Sequence, residues 1–157
     1  MRSELVRAGR AGIAVRSVLP DPVSPFGDRV RHRLREERVA WFTTIGRDGT
    51  PEPNPVWFVW DGATSVLIYN RPEAKRLDHI RANPRVSLHF DGNGRGGDIV
   101  VMTGRAQILG GATPPHEVGP YVGKYRNDML RVSGTLEAFS SAYPTELRVE
   151  VTRIRGH

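Results

Sequence analysis

Apolar and polar residues alternate with a period of two over most of this chain, and that alternation predicts strands. It is cleanest from Thr145 to Arg155, where Leu147, Val149 and Val151 share one side and charged residues the other. Arg85 to Phe90 follows the same rule, as a half-buried strand. Val39 to Gly46 reads as a strand that ends in a hairpin turn, Arg47-Asp48-Gly49-Thr50, with Asp-Gly as the turn signal. Pro53 to Trp60 reads as the returning strand, with Val56, Phe58 and Trp60 on one face and Trp57 and Val59 on the other. Two apolar faces predict cover on both sides. Pro53 and Pro55 stand at its start, where an edge or a bulge tolerates a missing donor. Asp61-Gly62 closes a further hairpin, and Ser65 to Tyr69 returns from it. The glycine-rich run Asp91 to Asp98 reads as a hairpin loop. It feeds a long strand, Asp98 to Leu109, with a bulge at Gly104.

Helical spacing fills the remainder. Residues 28–38 predict a helix with Asp28 as N-cap and Val30 and Leu34 as a thin apolar stripe. Residues 113–142 predict two helical pieces, Pro115 to Tyr125 and Ser133 to Tyr143. Residues 1–27, with Pro20, Pro22 and Pro25 and no sustained period, read as a flexible extension preceding one domain over residues 28–157. Six hairpin-linked strands with helices outside them predict an α+β fold, mainly β: a six-stranded antiparallel barrel, closed or half-closed.

Chemistry gathers where the third strand passes into a short helix. Asn70 and Glu73 have capping-box spacing, Pro72 fits a first helical turn, and Ala74, Leu77 and Ile80 form an apolar face. Asn83-Pro84 stops the helix. Lys75 and Arg76 put two cations at the positive end of the helix dipole, an opposition an anion would remove. A bound phosphate is one reading of the pair. An ordinary solvated helix face is the other.

Composition narrows the classes. The chain has 157 residues, no cysteine and a formal charge of +6. Disulfides, thiolate chemistry and cysteine-bound metals are excluded. No apolar run is long enough for a membrane span, and the cytoplasm is the expected compartment. The basic balance admits nucleic acid as a partner, but the arginines are dispersed and Trp41, Trp57 and Trp60 lie in strands. The five histidines have no metal-ligand spacing, and no nucleophile, acid or base stands out, so no metal and no catalytic residue is assigned. Redox chemistry here would belong to a cofactor.

The ordered set Val39–Thr50, Pro53–Trp60 with Asp61-Gly62, Lys75–Val86 ending Asn-Pro-Arg-Val, and the strand Gly104-Arg-Ala-Gln resembles the split-barrel flavin and deazaflavin oxidoreductases, the superfamily named for pyridoxamine 5′-phosphate oxidase. The resemblance runs over about residues 28–155 and is strongest to the actinobacterial branch that uses the deazaflavin coenzyme F420, which the Asp91–Asp98 loop and Lys124-Tyr125 also fit. It implies an FMN-binding type of split barrel, forming a homodimer with cofactor sites at the interface and acting on a small molecule. It implies Lys75, Arg76 and Arg71 at the cofactor's anionic tail, Tyr69 and Asn70 leading to it, and Pro55, Val56 and Trp57 along the ring. Trp57 is equally open to a packing role. Glu73 stands where relatives often carry a hydroxyl or basic residue, and the C-terminus lacks the vitamin B6 phosphate-binding ending. The implied activity is hydride transfer between F420 and a small organic acceptor. FMN in its place, a non-catalytic carrier of a flavin-type ligand, and a basic nucleic-acid-binding barrel are the alternatives.

Overall fold

The computed structural model describes residues 17–157. Seven strands form one antiparallel sheet: β1 (Ala40–Ile45), β2 (Pro51–Val56), β3 (Val59–Trp60), β4 (Ser65–Asn70), β5 (Arg85–His89), β6 (Val100–Leu109) and β7 (Thr145–Gly156). Their order is β2-β1-β5-β6-β7-β4-β3. Thus β2 and β3 lie at opposite edges, although only Trp57 and Phe58 separate them in the chain. Three peptide steps reach at most about 11 Å. The sheet must therefore curl until its edges nearly meet, which makes the barrel split rather than fully hydrogen-bonded.

The expected single strand Pro53–Trp60 is thus two strands, and six becomes seven. Nor is it covered on both sides throughout, because Pro51 to Pro55 are exposed. The proline spacing explains why this stretch lies at an edge. Gly46 N–H bonds Thr50 O at 2.9 Å, and the register pairs Thr44 with Glu52, Phe42 with Asn54 and Ala40 with Val56. Hydrogen-bonded pairs alternate along an antiparallel ladder. Pro51, Pro53 and Pro55 therefore take the outward positions, where no N–H is required.

The seam between the edges is closed by a helix. The Tyr125 hydroxyl accepts from Phe58 N–H at 2.9 Å and donates to Arg38 O at 2.7 Å. Lys124 Nζ donates to Phe58 O at 3.1 Å. Side chains thereby satisfy backbone groups that a neighbouring strand would otherwise have paired. Both residues belong to α3 (Gly119–Ser133).

The barrel interior is filled by Phe42, Phe58, Ile68, Leu88, Met102, Leu147 and Val149, and by Val30 and Leu34 of α1 (Pro25–Glu36) and Leu77 and Ile80 of α2 (Lys75–Ala82). A second cluster of Val59, Tyr69, Tyr121, Tyr125, Met129 and Phe139 packs α3 and α4 (Leu136–Ala142) against the sheet. Gly104 sits at the expected register shift, with Glu150 O 2.0 Å from where a Cβ would stand. The Asp91–Asp98 loop is held by Arg33. Its guanidinium meets Asp98 Oδ2 and Glu37 Oε1, each at 2.7 Å, and lies 5.2 Å above the Phe90 ring. This anchors Asp98, a non-glycine residue at φ 56°.

Helix ends depart from expectation for local reasons. α1 begins at Pro25, not Asp28, because the Ser24 hydroxyl caps Gly27 N–H and Pro25 suits the first turn. Ser133 ends α3 rather than starting the last helix, and Thr135 caps α4 instead. Of the extension expected over residues 1–27, residues 1–16 lie outside the described residues, while Val18 and Leu19 pack on the core. No helix among the described residues is long and apolar enough to cross a membrane.

Replacing Tyr125 with Phe removes one oxygen and leaves the buried Phe58 N–H without its partner. The expected cost is about 1–3 kcal/mol in a urea unfolding titration. An unchanged midpoint would mean the seam is not held by this hydroxyl.

Candidate functional site

Beside the seam, the outer face of the sheet and the helices α3 and α4 enclose a cavity of about 210 Å³. Five residues named from sequence line it: Pro55, Val56, Trp57, Tyr69 and Arg76. Each arrives by a different route. Pro55 and Val56 end β2, Trp57 stands at the break before β3, Tyr69 lies near the end of β4, and Arg76 is in the first turn of α2. The helices add Tyr121, Val132, Phe139 and Tyr143. Sequence reasoning missed these four. The available signal was the helical spacing within residues 113–142, which marks an apolar face but not the surface it covers.

The walls are aromatic. Trp57 stacks with Tyr125 at a centroid distance of 5.0 Å and with Phe139 at 5.7 Å. It therefore both packs and lines the cavity. Tyr69 meets Tyr121 edge-on at 5.0 Å, and its hydroxyl donates to Thr113 O at 3.0 Å. Burial, with Glu146 adding to it, pushes the Tyr69 phenol up to about 12. Burial likewise raises Tyr125 to about 12, and raises Tyr121 as well.

Positive charge gathers at one end. Arg76 is half-buried, and desolvation lowers its pKa from the ordinary arginine value. Among the described residues no carboxylate pairs with it. The Arg71 guanidinium lies 4.8 Å above the ring of Tyr143, a cavity residue. Lys75 is exposed on the first turn of α2, outside the cavity lining. Asn70 is buried. Its Nδ2 donates to Ile68 O and Thr145 O, both at 3.1 Å, and its Oδ1 has no partner among the described residues.

The expected capping box does not form. α2 starts at Lys75 with Ala74 as N-cap and no side-chain cap. Asn70 is drawn instead into the sheet, Pro72 lies in a turn ahead of the helix, and Glu73 is exposed. The first N–H groups of α2 are thus left to solvent or to a ligand, with cations beside them. The uncapped helix start and the desolvated guanidinium are donors that suit an anion. Among the described residues, no group of acidic or histidine side chains is arranged to hold a metal.

The sequence profile described as pyridoxamine 5′-phosphate oxidase matches residues 26–157. The chain belongs to the pyridoxamine 5′-phosphate oxidase family. No curated protein sequence matches it. Solved structures share the family fold. An F420 reductase superimposes with a TM-score of 0.60 at 20% identity, covering 80% of this chain and 94% of the other. A conserved hypothetical protein of Mycobacterium tuberculosis gives 0.63 at 20% identity, covering 82% and 81%. A heme storage protein of Vibrio cholerae gives 0.57 at 11% identity, covering 82% and 92%. The split barrel read from the strand pattern is this family's fold.

The buried phenols supply a test of the cavity in this family member. A phenol held neutral stabilises the fold below about pH 10, and that contribution is lost as pH rises towards about 12. In a Tyr143→Phe protein, phenolate absorbance is expected only as the pH nears about 12. Ionisation at the ordinary value of about 10 would show the cavity open to water.

Proposed function

We propose that this protein is an oxidoreductase that moves a hydride between the deazaflavin coenzyme F420 and a small organic acceptor, acting as a homodimer. Arg76 carries the reading. A guanidinium set into an aromatic cavity without a carboxylate is an unfavourable arrangement by itself. A bound anion next to a flat apolar ligand makes it favourable. The solved F420 reductase of the same fold supports a deazaflavin over FMN.

The cavity's size supports the dimer. Small-molecule pockets run from about 300 to 1,000 Å³. One chain offers 210 Å³, too little for a tricyclic ring with its side chain. A second copy would supply the missing wall.

The cofactor would supply the hydride-carrying ring. The chain's residues bind, orient and exclude water. Lys75, Arg76 and Arg71 neutralise the anionic tail, together with the free N–H groups of α2. Pro55, Val56 and Trp57 offer an apolar wall for the ring. Tyr69 is committed to Thr113 O and held neutral, so it shapes the cavity rather than exchanging protons. Orientation of two reactants in a dry site accounts for several kcal/mol of barrier lowering.

Titration with F420 and FMN side by side tests the reading. F420 is expected to bind more tightly. Lys75→Ala and Arg76→Met should each weaken it at least about tenfold, the effect of losing roughly 1.4 kcal/mol, with unfolding curves unchanged. Tighter FMN binding would transfer the reading to that cofactor, and binding of neither would end it. Light scattering should give twice the chain mass.

A further inference from the structure

Across α3 from the aromatic cavity lies a larger groove of about 660 Å³, between α1, β3 and the other flank of α3. Its apolar surface comes from Leu19, Leu34, Val59 and Trp60. Its charge is lopsided. Arg31, Arg35, Arg38 and Lys124 line it, against Glu36 alone. Arg35 pairs with Glu36 at 2.9 Å, and Arg38 pairs with Asp128. The other two cations meet no carboxylate among the described residues. Arg31 donates to Pro20 O at 2.7 Å and Gly27 O at 3.0 Å. Lys124 donates to Phe58 O and sits 3.8 Å above the Phe58 ring. An ammonium carries three N–H donors, and Phe58 O takes one.

We propose that this groove is a second ligand site, for an organic carboxylate bearing an apolar ring or chain, with Lys124 and Arg31 as its charge partners. The volume falls within the range of small-molecule pockets and is three times that of the cavity beyond α3. Burial and the neighbouring Arg38 lower Lys124 to about 8, with Glu37 and Glu36 opposing them. A bound carboxylate would oppose both causes, because its charge favours the protonated ammonium.

Facing Lys124 are Arg31, Arg35 and Glu36 of α1, Glu37 and Arg38 after it, and Tyr125 and Asp128 of α3. Arginine and carboxylate side chains keep their charge between about pH 7 and 10, and Tyr125 is held neutral to about 12. Lys124 is therefore the group whose charge changes over that span.

The test is titration of the full chain with 2-naphthoate and its uncharged analogue 2-naphthamide, read by calorimetry and by the indole N–H resonances. Naphthoate is expected to bind at least about tenfold more tightly than the amide and to shift the Trp60 indole rather than that of Trp57. Its affinity should fall at least about tenfold from pH 7 to pH 10. Lys124→Met, which keeps the stem against Phe58, should lose the affinity and the pH dependence together. If that variant does not fold, Arg31→Gln takes its place and should lose at least about threefold in affinity. Equal binding of acid and amide, a shift at Trp57 instead of Trp60, or a folded Lys124→Met with unchanged affinity would each overturn the proposal.

Discussion

The Tyr125 hydroxyl stands at the point where this barrel stops being a barrel. Two residues connect the outermost strands of a seven-stranded sheet, so the edges are forced together without registering as a ladder. The buried peptide at Phe58, which no strand pairs, must be satisfied by something else, and α3 reaches in to do it. That requirement fixes the helix against the seam. Once it is fixed, its two flanks acquire distinct surroundings. One flank contributes Tyr121 to the wall of the smaller cavity and stacks Tyr125 against Trp57, and the other, with Pro120, Gly123 and Lys124, borders the wider groove. Both hollows are consequences of a sheet that closes without pairing its last two strands.

Electrostatics around α2 follows from the same economy of capping. A cation near a helix start opposes the macrodipole by only about 0.3–1 kcal/mol, too little to exclude lysine or arginine there. Burial of the Arg76 guanidinium is the larger effect, because a charge taken from water needs compensation. Glu73 lies close in sequence but stays exposed and offers none. The corner is left with donors and positive charge in excess, which is the arrangement an anionic cofactor tail requires.

Much of this was legible in the residue pattern. The strands, the Asp-Gly turn, the Gly104 bulge and the long final strand followed from period-two alternation and glycine placement, because these are local properties. The break at Trp57-Phe58 was not. Both its neighbours are apolar, so continuation as one strand and transfer between two edges look alike along the chain. The capping box failed for a related reason. Asn70 has the correct spacing to Glu73, but pairing of β4 with β7 carries it into the sheet, and tertiary hydrogen bonds override a local preference. Eight positions were named around the ring and tail. Pro55, Val56, Trp57, Tyr69 and Arg76 converge on one cavity, whereas Asn70, Arg71 and Lys75 are not among its lining residues. Tyr121, Tyr143 and Phe139 were not assigned to the site because amphipathic spacing does not disclose which surface a helix will cover.

The outer border of β2 is chemically one-sided. Its three outward nitrogens are proline nitrogens, so the rim presents carbonyl oxygens alone. An incoming strand needs donors and acceptors in alternation, and half of its partners are missing here. Self-templated growth of the sheet, the usual path to fibrils, is blocked at this rim. Two copies that meet at β2 must do so through side chains and faces, leaving the cavity beside Pro55 accessible to a ligand instead of sealed by a borrowed strand.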